Sequence, residues 1–106
     1  GTFTARTWTI TPAANCTIEF SANIGASNVL PDSGNQVAWY VSVGGGSDTY
    51  LGQCNTDSLA RQVFPVSTSF SATGGVSLAF KIKVTKSGGA SPTLYESSMR
   101  ATEVYR

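Results

Sequence analysis

The chain is expected to be all-β, a sandwich of two antiparallel sheets made from about eight short strands. Three observations lead there. Val76, Leu78, Phe80, Ile82 and Val84 fall on one parity, and Ser77, Ala79, Lys81, Lys83 and Thr85 on the other. That unbroken period of two belongs to a strand with one apolar face, because a helix would scatter the same five apolar residues around its circumference. Clusters of Gly, Pro, Asn and Ser, such as Gly74-Gly75 before this run and Ser87-Gly88-Gly89 after it, punctuate the chain at short intervals. No helical periodicity of about ten residues lies between them.

In chain order, Thr2 to Thr11 sets Phe3, Trp8 and Ile10 among β-branched threonines, which is strand composition. Phe3 and Ala5 share a parity that Trp8 and Ile10 do not, so a bulge is expected near Arg6 and Thr7. Pro12-Ala13-Ala14-Asn15 turns the chain into a second strand, where Cys16, Ile18, Phe20, Ala22 and Ile24 alternate with Thr17, Glu19, Ser21 and Asn23. Gly25 to Asn35 reads as a long loop, with Pro31-Asp32-Ser33-Gly34-Asn35 as its turn chemistry. From Gln36, Val37, Trp39, Val41 and Val43 face one way and Ala38, Tyr40 and Ser42 the other. Gly44-Gly45-Gly46-Ser47-Asp48 then connects a hairpin to a short return strand, Thr49 to Cys54. Asn55 to Ala60 is polar and turn-like. Arg61 to Phe70 carries Val63, Phe64, Val66 and Phe70, but Pro65 demotes it to an edge or bent strand. The strand from Val76 follows, then Thr93 to Ser97 and Met99 to Tyr105. A two-sheet sandwich or jelly roll accommodates this series.

At 106 residues the chain is one domain, 1–106, with enough length for a single core. It opens on Gly1 with no signal peptide, and is expected to be a domain excised from a longer fibrous or modular protein. Charged residues make up only 12%, about half the usual share, and Ser, Thr, Asn and Gly replace them. Such a hydroxyl-rich, neutral surface suits a virion surface or an extracellular location. Seven basic against six acidic residues leave +1, too little for the basic field that gathers on a phosphate backbone, so nucleic acid is not an expected partner. No apolar run approaches the ~20 residues of a membrane helix, and no membrane insertion is expected.

Catalytic chemistry is thinly supplied. The chain has no histidine, which removes the usual serine and cysteine triads, His acid–base pairs and His–metal sites. Glu19 with Glu96 or Glu103 is the one conceivable carboxylate pair, but solvated strand charges that discourage edge pairing explain them as well. Asp32-Ser33-Gly34-Asn35 offers oxygens, though fewer than calcium takes. Neither a metal nor any other cofactor is expected, and the chain is not expected to be an enzyme. Asn15-Cys16-Thr17 matches the glycosylation acceptor pattern, with an unfavourable cysteine in the middle. Cys16 and Cys54 permit a single intrachain disulfide worth about 4 kcal/mol by loop entropy. Two free thiols, one of them on a core parity, is the other reading.

Three stretches carry a resemblance: Ile10-Thr11-Pro12-Ala13-Ala14-Asn15-Cys16-Thr17-Ile18-Glu19-Phe20-Ser21-Ala22, then Ser69-Phe70-Ser71-Ala72-Thr73-Gly74-Gly75-Val76-Ser77-Leu78, and the closing Ser98-Met99-Arg100-Ala101-Thr102-Glu103-Val104-Tyr105-Arg106. In order and parity they resemble the compact jelly roll of tumour necrosis factor and complement-type heads, versions of which cap bacteriophage tail fibres. The resemblance implies jelly-roll connectivity, a three-fold packing of heads and a non-catalytic role. That role is the receptor-binding head of a phage tail fibre or related virion adhesin, attaching to a host surface glycan or protein. The alternatives are an extracellular carbohydrate-binding module appended to an enzyme and a structural capsid or decoration protein. A ligand site is expected at a sandwich end among Asp48, Tyr50, Asn55 and Asp57, where carboxylates and amides meet an aromatic face. The uncharged face of Ala38, Tyr40 and Ser42 is the expected homotrimer interface.

Overall fold

The computed structural model describes residues 1–31, 33–87 and 91–105. It is all-β: β1 (Thr2–Ile10), β2 (Cys16–Ser27), β3 (Gln36–Val43), β4 (Thr49–Gln53), β5 (Gln62–Ala72), β6 (Leu78–Thr85), β7 (Thr93–Leu94) and β8 (Ser98–Val104). One antiparallel sheet has the order β1-β6-β3-β4; in the other, β2 lies between β5 on one side and β7 and β8 on the other. Strands β2 and β3 each pair with the strand three later, β2 with β5 and β3 with β6, in opposite sheets. The chain therefore crosses between layers at Pro12–Asn15, again before β3, and again before each of β5, β6 and β7. The sandwich is as the strand pattern requires. Jelly-roll connectivity finds no support in the strand order, because the last strand lies beside β2 in one sheet while β1 ends the other.

The parity of β6 decides which face of its sheet is inside. Leu78, Phe80, Ile82 and Val84 are buried, and the residues between them are partly open. β3 presents Val37 and Val41 to the same side, opposite Val84 and Phe80 in register. The second sheet answers with Ile18, Phe20, Ala22 and Ile24 of β2 and Val66 and Ala72 of β5. The layers meet where the Phe20 and Phe80 rings stand 5.5 Å apart; Phe70 reaches Phe20 and Trp8 reaches Phe80, each at 6.1 Å.

Several boundaries differ from the sequence pattern, each for a tertiary reason. β2 continues through Gly25–Ser27, expected as loop, because Gln62 and Val63 of β5 and Thr93–Leu94 of β7 supply ladder partners there. β6 starts at Leu78 rather than Val76. Val76 N–H donates to the Thr73 carbonyl and closes a turn, and the Ser77 carbonyl accepts from Gly44 N–H at the base of the β3–β4 hairpin. The bulge in β1 falls between Thr4 and Arg6, one residue earlier than the parity change suggested. Pro65 does sit in an edge strand, since among the described residues β5 pairs with β2 alone. In the β3–β4 hairpin, Gly44 and Gly45 both have positive φ and Gly46 N–H donates to the Val43 carbonyl, a type I′ arrangement that side chains would resist.

Cys16 and Cys54 are free thiols. Cys16 opens β2 opposite Ala72, beside the turns that hold Pro12 and Gly75. Cys54 follows β4, bonded to the Val37 carbonyl at the other end of a molecule 46 Å long. A disulfide needs its Cα atoms within about 7 Å, so the open question of a bridge resolves to two separate thiols. Burial pushes the Cys54 thiol up to about 12, which makes it inert.

Replacing Phe80, fully buried at the meeting point of the layers, tests this account of the core. Phe80→Ala is expected to cost about 3–5 kcal/mol, a large part of the roughly 5–15 kcal/mol that holds a domain together. The urea midpoint should fall accordingly with an unchanged slope, whereas a loss below about 1 kcal/mol would show that the sheets do not depend on this contact.

Candidate binding site

The outer face of the first sheet collects the residues that core parity rejects. β6 contributes Lys81 and Lys83, and β3 contributes Gln36, Ala38, Tyr40 and Ser42. In register, Tyr40 stands between Lys81 of β6 and Tyr50 of β4, and Ala38 between Lys83 and Gln53. β4 would ordinarily send Tyr50 and Gln53 to opposite faces, being three residues apart. A shift in the β3–β4 ladder between Trp39 and Tyr40 leaves Leu51 as an extra residue, so Tyr50 and Gln53 share the outer face. The Tyr50 hydroxyl then donates to Gln53 Oε1 at 3.1 Å.

These groups form one connected surface. The Tyr40 and Tyr50 rings meet edge to face, 5.7 Å between centroids at 73°. Lys83 Nζ lies 4.5 Å from the Tyr40 ring centre. Gln36 Nε2 donates to Gln53 Oε1, and Gln53 Nε2 donates to Asn55 Oδ1 at 3.1 Å. Asp48, just past the glycine hairpin, receives Lys81 on Oδ1 at 2.8 Å and Lys83 on Oδ2. Hydrogen bonds from Lys81 and then Lys83 hold its carboxyl below the usual carboxylate range, while partial burial opposes them.

Of the four expected ligand residues, the structure brings three together, on a sheet face rather than at a sandwich end. Tyr50 is half exposed, Asn55 is exposed and closes the amide row, and Asp48 flanks the tyrosines through Lys83. Asp48 has both carboxylate oxygens engaged, so its part is to fix two ammonium groups rather than to accept a hydroxyl. Asp57 lies apart: its Oδ1 accepts from Gln62 Nε2 at 2.9 Å, which ties down the start of β5. The expected interface face changes character as well. Ala38 and Ser42 are 0% and 3% exposed within the single chain, so only Tyr40 of the three reaches the surface, and it belongs to the tyrosine pair.

Lys81, Lys83, Gln36 and Gln53 were not singled out from the sequence. The signal for the lysines was present, since both occupy the wet parity of β6, but only the register shows that they flank Tyr40. The carboxylates do not assemble. Glu19 faces Thr102 while Glu103 faces Ile18, which places them on opposite parities of the second sheet, and Glu96 lies between β7 and β8. In the turn considered for calcium, Asp32 is outside the described residues. Ser33 Oγ donates to the Leu30 carbonyl and Asn35 Oδ1 accepts from Ser87 N–H, so these oxygens serve the turn. Among the described residues no helix is long and apolar enough to cross a membrane, which says nothing of strand-built membrane proteins.

The pH dependence of Asp48 is a direct check. A depressed carboxyl stabilises the fold fully above its unfolded value near 3.8, and that contribution disappears as pH falls through the lower folded value. Asp48→Asn should therefore be less stable than the parent at pH 7, with the difference closing as pH falls below the unfolded value and through the lower folded one. Equal stability at neutral pH would show that the Lys81–Asp48–Lys83 cluster contributes nothing. No family model matches the chain, and neither do any curated proteins or solved structures.

Proposed function

We propose that the chain is a non-catalytic attachment domain, the receptor-binding head of a phage tail fibre or related virion adhesin, that engages a glycan on a host surface through the outer face of the first sheet. The observation that carries this reading is the Tyr40–Tyr50 pair, with Tyr50 half exposed and the Gln53–Asn55 amides fixed beside it. Aromatic faces take the apolar side of a sugar ring, while preset amides exchange hydrogen bonds with its hydroxyls. Because Tyr40, Tyr50 and Gln53 stand on strands and Asn55 is bonded to Gln53, little ordering entropy is spent on binding. The low charge, the hydroxyl-rich strands and the resemblance of three sequence stretches to head domains support the same conclusion.

Tyr50→Ala should weaken binding of labelled protein to intact host cells roughly tenfold while leaving the folded spectrum intact. Unchanged binding in Tyr50→Ala and in Asn55→Ala removes the tyrosine face as the site. Protein that ignores cells but binds a purified polysaccharide through the same residues is a carbohydrate-binding module instead.

Assembly as a homotrimer belongs to the same proposal, because three weak sites gain avidity together. Tyr40 cannot both hold a ligand beside Tyr50 and lie buried against another copy, so the contact uses other surfaces. Light scattering at micromolar concentration should give about three times 11.1 kDa, independent of Tyr40→Glu. A single-chain mass removes the trimer for this domain.

A further inference from the structure

The second sheet has its own groove, on the side of the molecule opposite the tyrosine pair. It encloses about 290 Å³ and is lined by Ser21 and Asn23 of β2 and Ser98, Met99 and Arg100 of β8. Its origin is the register. Ser21 lies directly across from Arg100 and Asn23 from Ser98, which puts a guanidinium, two hydroxyls and an amide on one outward surface. The next outward position of β2 is Gly25, where an added Cβ would stand 3.1 Å from Tyr95 Cβ, a tight approach that favours glycine. Tyr95 packs there with its hydroxyl 3.1 Å from Ser27 Oγ, and the Arg61 guanidinium lies 4.5 Å over its ring.

Two arginines thus mark the outer face of this sheet, one at the groove and one beyond Asn23. Ser21 and Gly25 are roughly 14 Å apart along β2, the reach of a short oligosaccharide. Glu19 also lies on this side, yet among the described residues the only ion pairs are those of Lys81 and Lys83 with Asp48. Neither Arg61 nor Arg100 has a carboxylate within ion-pairing distance among these residues. A guanidinium beside hydroxyl and amide donors is the constellation that receives a carboxylate or sulfate by charge-assisted hydrogen bonds.

We infer that the Ser21–Asn23–Ser98–Arg100 groove is a second binding site, for the acidic group of a charged saccharide, independent of the tyrosine face. Arg100 takes the anion, Ser21 and Ser98 donate to it or to neighbouring ring hydroxyls, and Arg61, seated over the Tyr95 ring, meets a further acidic residue of a longer chain. Carboxylate and sulfate share this chemistry, and separate probes distinguish them.

The test is an amide-resonance titration of the full chain with 3′-sialyllactose, with lactose 3′-sulfate, and with neutral lactose. At least one acidic sugar should shift Ser21, Asn23, Ser98 and Arg100 at millimolar concentration, lactose should leave them in place, and added salt should weaken the response. Arg100→Gln should weaken binding at least about tenfold, Arg100→Lys should restore part of it, and Tyr50→Ala should leave it unchanged. The tighter acidic sugar identifies the anion. The inference is overturned if neither acidic sugar shifts these residues, if lactose shifts them equally, or if Arg100→Gln binds as the parent does. Shifts confined to Tyr40 and Tyr50 would overturn it too, and would support the tyrosine face alone.

Discussion

The structure depends on one meeting of layers, the contact of Phe20 on β2 with Phe80 on β6. Both strands are interior to their sheets, and each carries four buried apolar residues on one parity, Ile18 to Ile24 and Leu78 to Val84. Fully burying each such large side chain stabilises by about 1.5–3 kcal/mol. A slip of one residue in either strand would turn that entire set to water and lysine or glutamate inward. This constraint fixes which residues of β2 and β6 remain for the outer faces. Function, on this architecture, can only be written in what β2, β3 and β6 do not bury.

The two outer faces use their polar residues differently. On the first sheet, Lys81 and Lys83 converge on Asp48, so the tyrosines sit beside ammonium groups whose positions are fixed and partly neutralised. On the second, hydroxyl and amide side chains leave Arg100 without a carboxylate partner among the described residues. Placing a neutralised cluster on one side and arginines beside hydroxyls on the other makes the faces suited to different parts of a ligand.

The edges complete the picture. β1 and β4 end one sheet, and β5, with β7 and β8, flanks the other, so unpaired backbone is available for unwanted strand pairing. Pro65 supplies no N–H within β5, ladder irregularities break the regularity of β1 and β4, and β7 is only two residues long. Phe3 and Val63 remain 59% exposed despite these devices. Irregular edges are compatible with a neutral surface that has little charge repulsion of its own to keep copies apart.

Alternation alone was enough to establish the all-β class, the two central strands and most of the core, because a strand that buries one face must write that burial as a period of two. Turn chemistry likewise marked the glycine hairpin and the edge character of Pro65. Connectivity between sheets was not legible, since a strand's pattern says which residues are inside but not which strand lies beside it. The same limit governs the candidate site. Tyr40, Tyr50 and the lysines each carried a parity in the sequence, but their assembly required the β3–β6 register and the extra residue at Leu51. Ala38 and Ser42 read as outward and are so, yet their neighbours cover them, which depends on side chains from adjacent strands. Cys16 and Cys54 were compatible with a bridge by number alone; only the placement of β2 and β4 along the long axis set them at opposite ends.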